Sequence, residues 1–140
     1  MNDKIKIPDN HRRRLSVTSK YVESGLNEIE DLLNNDGREQ ITQNITRNID
    51  KEKKKKILEL TRKLRIENEK MFKEVNLSPD KLYEDRIIRG TFSYIWTILI
   101  DSTATKMKGY GELSEGESEL IDSYVNVLVD IVYKIQSIIH

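Results

Sequence analysis

The sequence predicts an all-α fold, an antiparallel four-helix bundle with one long charged helix, in a single domain over residues 1–140. Three observations favour it. Apolar residues recur every three or four positions, which is the period of a helix. No segment alternates apolar and polar residues as a half-exposed strand does. Glycine and proline punctuate the chain and leave four helical segments between them. A chain of 140 residues is long enough to bury a core without disulfides or metals.

The first helix is predicted to begin after Pro8, with Asp9 or Asn10 as its N-cap. Its apolar residues follow helical spacing, with Ser19 filling the one gap between them. They are Leu15, Val22, Leu26, Ile29 and Leu33. The sequence Asn35-Asp36-Gly37 is expected to end the helix, because glycine readily takes the left-handed conformation of a C-terminal cap.

The second helix, predicted from Glu39 to Val75, is the longest and the most charged. Its expected apolar face has two parts: Ile41, Ile45 and Ile49, then Ile57, Leu60, Leu64, Met71 and Val75. If unbroken it would exceed about 50 Å, at about 1.5 Å per residue. The segment Asp50–Lys56 between the two parts has no apolar residue. Whether the helix is continuous through this segment is left open by the pattern.

The third and fourth helices are bounded by clear start signals. Ser78-Pro79 is typical of a cap followed by a first helical residue, so the third helix is expected to run from there to about Lys108. Ser114 followed by Glu117 predicts a capping box, in which each side chain bonds the other residue's backbone N–H. The fourth helix is expected to run from this box to near the C-terminus.

These last two helices are apolar around more of their circumference than one bundle requires. We expect them to be the most buried, with Ile95 and Leu128 inside. The fourth helix has one apolar side with Leu120, Tyr124, Leu128, Ile131, Ile135 and Ile138, and another with Val125, Val132 and Ile139. The excess predicts a homo-oligomer, most simply a two-fold dimer. The residues assigned to its interface are Val125, Val132, Tyr133 and Ile139.

Charge is distributed unevenly, although the net charge is zero. Residues 38–77 hold 12 Lys/Arg against 7 Asp/Glu, whereas residues 114–140 hold one lysine against five carboxylates. Uneven charge of this kind matters for partners more than the total does. Phe72 is the only aromatic residue in the basic segment, which argues against reading of single-stranded bases by stacking.

A basic end is the candidate binding site for phosphate or an acidic partner. The cations of His11–Arg14 lie at a helix start, where positive charge opposes the helix dipole. An up-down-up-down bundle would place them beside the end of helix two and the start of helix three. The candidate residues are Arg12, Arg13, Arg14, Arg62, Lys63, Arg65, Lys70, Lys73, Arg86 and Arg89. The alternative is a solvated helix surface, which is also the interpretation favoured for Lys53–Lys56.

Catalytic and metal-binding patterns are missing from the sequence. It has no cysteine, its two histidines are His11 and His140 near the chain ends, and it has no glycine-rich phosphate loop. We therefore expect no catalytic residue, no metal, no cofactor, no membrane span and a cytoplasmic location. The leading interpretation is a non-enzymatic, self-associating interaction or assembly protein. The alternative is a nucleic-acid-binding accessory protein that uses His11–Arg14 with Arg62–Lys73 to hold phosphate backbone without sequence specificity. Candidate partners are a second copy, another protein or nucleic-acid backbone.

Overall fold

A computed structural model describes residues 5–34 and 40–139. Their regular structure is helical with no strand, as the sequence predicts. The four α-helices are α1 (Asp9–Leu33), α2 (Lys51–Glu74), α3 (Glu84–Ile100) and α4 (Glu115–Ile138), with a 3₁₀ turn at Lys108–Tyr110. They form two compact units, Met1–Asp80 and Lys81–His140. We call α1 with α2 hairpin one, and α3 with α4 hairpin two. The single four-helix domain over 1–140 stays a prediction.

The two helices of hairpin one run antiparallel. Asn68 of α2 donates a hydrogen bond to the Ser19 carbonyl (3.2 Å), whereas Arg65, earlier on α2, reaches Asn27, later on α1 (2.9 Å). Ser19 and Leu26 are buried in this contact, as the helical spacing of α1 predicts. The carbonyl of Pro8 accepts a hydrogen bond from the Arg12 N–H at 3.0 Å. Pro8 is therefore the N-cap, and Asp9 is the first helical residue. The predicted end at Asn35-Asp36-Gly37 lies outside the described residues.

Helix α2 begins twelve residues later than predicted. The carboxylate of Asp50 accepts a hydrogen bond from the Lys53 N–H at 2.9 Å and caps the helix. Residues 40–50 are not helical, and Ile41, Ile45 and Ile49 are all exposed. Asparagine, threonine and isoleucine dominate that segment, and all three have lower helix propensity than the Lys and Glu that follow. The lysine run is thus the first two turns of α2 and not the middle of a longer helix.

The face that α2 presents to α1 differs in part from the predicted one. Ile57, Met71 and Val75 are half-buried as predicted, but Leu60 and Leu64 are exposed. Arg65 and Asn68 lie on the inner face as well and bond to α1. Polar side chains can occupy this face because they find hydrogen-bond partners across it.

The segment after α2 turns back without starting a helix at Ser78-Pro79. Asn76 takes a left-handed conformation (φ 59°), and the N–H of Leu77 donates to the Phe72 carbonyl at 2.9 Å. This is the Schellman arrangement, in which an apolar residue just past the helix packs on its last turn; here Leu77 is buried. Asp80 pairs with Lys20 of α1 at 3.1 Å. These contacts hold the segment in an extended form, and α3 begins only at Glu84.

Hairpin two is antiparallel as well. Arg89 at the start of α3 donates to the Ile139 carbonyl after α4 (3.4 Å), and the Ala104 N–H after α3 donates to Asp122 near the start of α4 (2.8 Å). Helix α3 ends at Ile100, eight residues before its predicted end. In the serine- and threonine-rich segment that follows, side-chain hydroxyls bond the last carbonyls of the helix. The capping box of Ser114 and Glu117 is confirmed.

The burial expected for α3 and α4 is wrong in part. Val125, Val132 and Ala104 are buried in hairpin two, but no residue of α3 is fully buried. Ile95 is half-buried and Leu128 is 49% exposed. A helix with one neighbour covers only one stripe of its surface. The apolar excess that the sequence shows therefore remains at the surface of hairpin two.

Candidate interaction surfaces

The start of α1 lies beside the end of α2, as the antiparallel prediction requires. A groove of about 270 Å³ separates the first two turns of α1 from the turn that follows α2. Its lining residues are Asp9, Arg12, Arg13, Ser16, Asn76, Leu77 and Ser78. Within this lining, Arg12 forms an ion pair at 3.2 Å with Asp9, which lies one turn earlier on α1. The groove therefore holds one arginine already neutralised by a carboxylate and one, Arg13, that is exposed.

Several of the predicted basic-site residues are engaged by carboxylates of the same hairpin. Lys70 pairs with Glu67 (3.3 Å), and Arg89 pairs with Asp85 (3.5 Å). The guanidinium of Arg86 lies over the Tyr83 ring, 4.9 Å from the ring centre, and the ammonium of Lys81 lies 5.8 Å from the same centre. Six of the ten predicted cations are exposed and form no ion pair within the described residues: Arg13, Arg14, Arg62, Lys63, Lys73 and Arg86, the last of which lies over the Tyr83 ring.

Arg65 is a structural residue and not an open phosphate ligand. Its guanidinium grips the Glu30 carboxylate with two bonds, Nη2 to Oε1 at 2.6 Å and Nε to Oε2 at 3.4 Å. Nη2 also donates to Asn27. The hydrogen bond to Glu30 raises the pKa of Arg65, which keeps the arginine charged. A planar guanidinium fits a carboxylate in this two-bond geometry, so the pair sets how α2 is rotated against α1.

The lysine run lies at the connection end of hairpin one, beside the acidic end of α1. Arg47 of the connection donates to the Leu32 carbonyl at 2.7 Å, which ties residues 40–50 to the last turn of α1. The α1 carboxylates near this end are Glu28, Glu30 and Asp31, and the lysines are Lys51, Lys53, Lys54, Lys55 and Lys56. The connection end of hairpin one therefore carries charges of both signs.

Two of the predicted interface residues are inside hairpin two. Val125 is buried and Val132 is only 6% exposed, because both face α3. Ile139 is half-buried, and Tyr133 alone of the four is well exposed, at 66%. The sequence shows two apolar sides on α4, and the one assigned to a partner copy is the one that packs within the chain. Burial corrects the residues assigned to the interface, while the self-association itself stays a prediction.

The other apolar side of α4 is open to solvent. It forms a stripe with helical spacing along the whole helix, and every member is exposed. The stripe consists of Leu120, Tyr124, Val127, Leu128, Ile131 and Ile138. The sequence predicts most of this stripe, but in the core. Helix α3 packs on the smaller apolar side of α4, so the larger side is left at the surface.

Helix α3 adds a second exposed stripe, made by Ile87, Tyr94 and Ile98. At 3.6 residues per turn, both stripes are rotated by about 110° in the same sense from the inner face of their own helix. Since α3 and α4 are antiparallel, that rotation brings both stripes to the same side of the hairpin. We call these nine residues the outer face. In the outer face, the exposed apolar residues of α3 lie on one half and those of α4 on the other.

The connection of hairpin two is held by polar contacts. The Asp122 carboxylate of α4 accepts from the N–H of Ala104, and a cavity of about 460 Å³ lies beside this bond. Its lining includes Lys108, Glu112 and Ser118. Hydrogen bonds from the backbone and the hydroxyl of Ser114 lower the pKa of Glu117. These bonds anchor the loop to α4 and position the carboxylates around it.

Within residues 5–34 and 40–139, no three histidine or carboxylate side chains lie close enough together to hold a metal ion. None of the helices described is both long enough and apolar enough to cross a membrane. Comparison of the chain with protein-family models, curated protein sequences and solved structures found no match. The outer face of hairpin two and the exposed cations of hairpin one are therefore the two surfaces on which a function can be argued.

Proposed function

We propose that this protein is a non-enzymatic interaction or assembly protein that self-associates through the outer face of hairpin two. The single observation that carries this proposal is the nine exposed apolar side chains of α3 and α4 on one side of the hairpin. Their exposed area is on the order of 1,000 Å², since a large side chain presents roughly 200 Å² when fully exposed. Monomeric proteins rarely expose a continuous apolar patch above a few hundred Å².

The size of the outer face suits a helical partner surface. A stable interface buries about 800 Å² on each partner, which the outer face can supply. Among the residues of hairpin two that the structure describes, only Ala104, Val125 and Val132 are buried. Covering the outer face adds the hydrophobic stabilisation that the hairpin lacks. Helix-on-helix packing, as in a coiled coil or bundle, and a cytoplasmic location complete this proposal.

The test is a mass measurement by light scattering at micromolar protein concentration. We expect the full chain to be a dimer, and Ile131→Asp to shift it to a monomer because Ile131 lies at the centre of the α4 stripe. Ser24→Asp on the exposed side of α1 is the control: it adds the same charge outside hairpin two and should leave the mass unchanged. A monomeric unsubstituted chain would overturn self-association.

A second candidate function is binding of phosphate backbone by hairpin one. It is favoured by the exposed position of Arg13, Arg14, Arg62, Lys63 and Lys73. It is weakened by the ion pairs that occupy Arg12, Arg65 and Lys70. On this alternative the protein binds duplex DNA without reading its sequence, and each phosphate neutralised contributes about −0.9 to the slope of log affinity against log salt.

Titration of a fluorescent duplex and a fluorescent single strand at low salt tests this alternative. Replacing Arg13 and Arg14 by glutamate should weaken binding of every sequence alike and flatten the salt slope. The control is Lys55→Glu, a charge reversal at the other end of hairpin one. No binding of either probe at tens of micromolar protein would remove the alternative, and binding that survives high salt would contradict its electrostatic mechanism.

A further inference from the structure

Hairpin two has opposite charge at its two ends. The end where α3 begins and α4 finishes, called the open end, spans residues 81–89 and 134–139. The loop end spans residues 101–122. The open end carries the cations Lys81, Arg86, Arg89 and Lys134 against two carboxylates, Glu84 and Asp85. The loop end carries the carboxylates Asp101, Glu112, Glu115, Glu117, Glu119 and Asp122 against two lysines, Lys106 and Lys108.

The charge of the loop end is not neutralised within the hairpin. Among the residues described, none of its six carboxylates forms an ion pair. Glu117 and Asp122 accept backbone hydrogen bonds instead. At the open end, Asp85 already pairs with Arg89, while Lys134 is exposed with no ion pair. Each end is therefore left with uncompensated charge, negative at the loop end and positive at the open end.

The ends act as separate centres of charge. A helix of 24 residues is about 36 Å long, whereas salt at physiological strength screens charge beyond about 8 Å. One end of the hairpin is thus too far from the other to compensate it. A surface that covers the outer face lies close to both ends, and its own charge distribution decides whether the ends are attracted or repelled.

We infer that the outer face is covered by a second copy of the chain in antiparallel orientation, an inference that rests on the self-association proposed above. A two-fold axis perpendicular to the helices lays the open end of each copy over the loop end of the other. Cations then meet carboxylates at both ends of the interface. A two-fold axis along the helices instead places loop end on loop end, where like charges repel each other. The apolar stripes give the affinity, and the end charges select the orientation.

The decisive experiment is a charge exchange on α4. The dimer dissociation constant is measured by sedimentation at low salt and at 0.5 M salt. The higher concentration reduces the screening length to roughly 4 Å. Lys134→Glu and Glu119→Lys are single reversals at the open and loop ends. Each should raise the dissociation constant about tenfold at low salt, because two symmetric contacts are lost together and each is worth up to about fivefold. The double variant should return to within about threefold of the original.

The double variant also separates pairing from effects on the helix itself. Both single reversals oppose the dipole of α4, since they place a lysine near its start and a glutamate near its end. Effects on helix stability would therefore add in the double variant, whereas effects of antiparallel pairing cancel. Lys55→Glu on α2 is the control for a charge reversal outside hairpin two and should not change the dissociation constant. All of these differences should shrink at 0.5 M salt.

Cross-linking reports the orientation independently, because the chain has no cysteine of its own. Ser137→Cys and Glu119→Cys lie at opposite ends of α4. An antiparallel dimer cross-links efficiently with a short bismaleimide only when the two variants are mixed. Cross-linking of Ser137→Cys by itself, or a double charge variant weaker than both singles, would overturn the antiparallel orientation. The proposed function would survive that result if Ile131→Asp still yields a monomer, and would fail if it does not.

Discussion

Hairpin one and hairpin two are both antiparallel helix pairs, but the chemistry between their helices differs. In hairpin one, polar contacts of Ser19 with Asn68 and of Glu30 with Arg65 accompany the buried Leu26. In hairpin two, Val125 and Val132 fill the contact and polar bonds occur only at its ends. Directional bonds define one rotation of α2 against α1, because a hydrogen bond is lost when its geometry changes. Apolar contacts are non-directional, so they allow α4 to offer a second apolar side to another partner.

The difference extends to the outer surfaces of the two hairpins. Hairpin one also exposes apolar side chains, and some lie one turn apart on a helix, as Val17 and Tyr21 do on α1 and Leu60 and Leu64 do on α2. Hairpin two exposes more of them, and nine form the outer face. The two hairpins thus differ in surface composition: charged residues predominate on hairpin one, and hairpin two has the larger exposed apolar surface.

The strongest test of this comparison asks which side of α4 faces α3. Val132→Asp should lower the free energy of unfolding by about 3 kcal/mol or more, because it places an unpaired carboxylate in an apolar contact. Tyr133→Asp, on the neighbouring exposed residue, should change it by less than about 0.5 kcal/mol. Urea unfolding followed by circular dichroism at one fixed protein concentration measures both. Equal effects of the two variants would mean that α4 is rotated differently from the structure.

A smaller effect is expected for the ion pair of hairpin one. Arg65→Met should destabilise α1 and α2 by about 1–2 kcal/mol, a value reduced because the pair is about one-third exposed to solvent. Hydrogen exchange followed by mass spectrometry should show faster exchange in both helices of hairpin one. Arg62→Met, one turn earlier on the exposed side, is the control and should change exchange little. Protection of α1 that is the same in both variants would show that the pair does not hold the hairpin together.

Loss of the hydrogen bond that holds the loop of hairpin two should lower the free energy of unfolding by less than loss of the ion pair does. Asp122→Ala removes the acceptor of the Ala104 N–H, at a cost of about 1 kcal/mol. Asp122→Asn keeps an oxygen at that position and should cost less. Nuclear magnetic resonance measurements of amide exchange should show the Ala104 amide exchanging faster in the alanine variant. If its exchange is unchanged, another group holds the loop against α4.

The weakest expected effect is a dependence of the start of α4 on pH. The bonds from Ser114 lower the pKa of Glu117 in the folded chain, so the folded state favours the ionised carboxylate. The stability that this group contributes is therefore complete above the ordinary glutamate pKa of about 4.3 and is lost as pH falls through the lowered pKa. Amide shifts of Ser114 recorded during acidification should show this transition. Glu117→Gln keeps an acceptor and should abolish the transition, and a transition that persists in this variant would assign it to another carboxylate.

The helical class and the cap of α4 follow from the sequence alone because they depend on local interactions. Residues three or four apart share a helix face, and a serine with a glutamate three residues later satisfies the free N–H groups of a first turn. The burial of Leu26 and Ser19 follows from the same spacing in α1. Local reasoning was wrong where two local signals competed. Isoleucine spacing in residues 40–50 indicated a helix, but the low propensity of the intervening asparagines and threonines and the cap at Asp50 prevailed.

Tertiary contacts alone decided which faces meet. Leu60 and Leu64 have the spacing of a core face, yet Arg65 and Asn68 face α1 because their partners, Glu30 and Ser19, are far away in sequence. Ser78-Pro79 carries the start signals of a helix, yet Leu77 and Asp80 hold that segment against hairpin one. The sequence shows two apolar sides on α4, and the packing of α3 on Val125 and Val132 leaves the larger one exposed. Helix periodicity is a property of neighbours along the chain, whereas the choice of face depends on a partner that the local pattern does not contain.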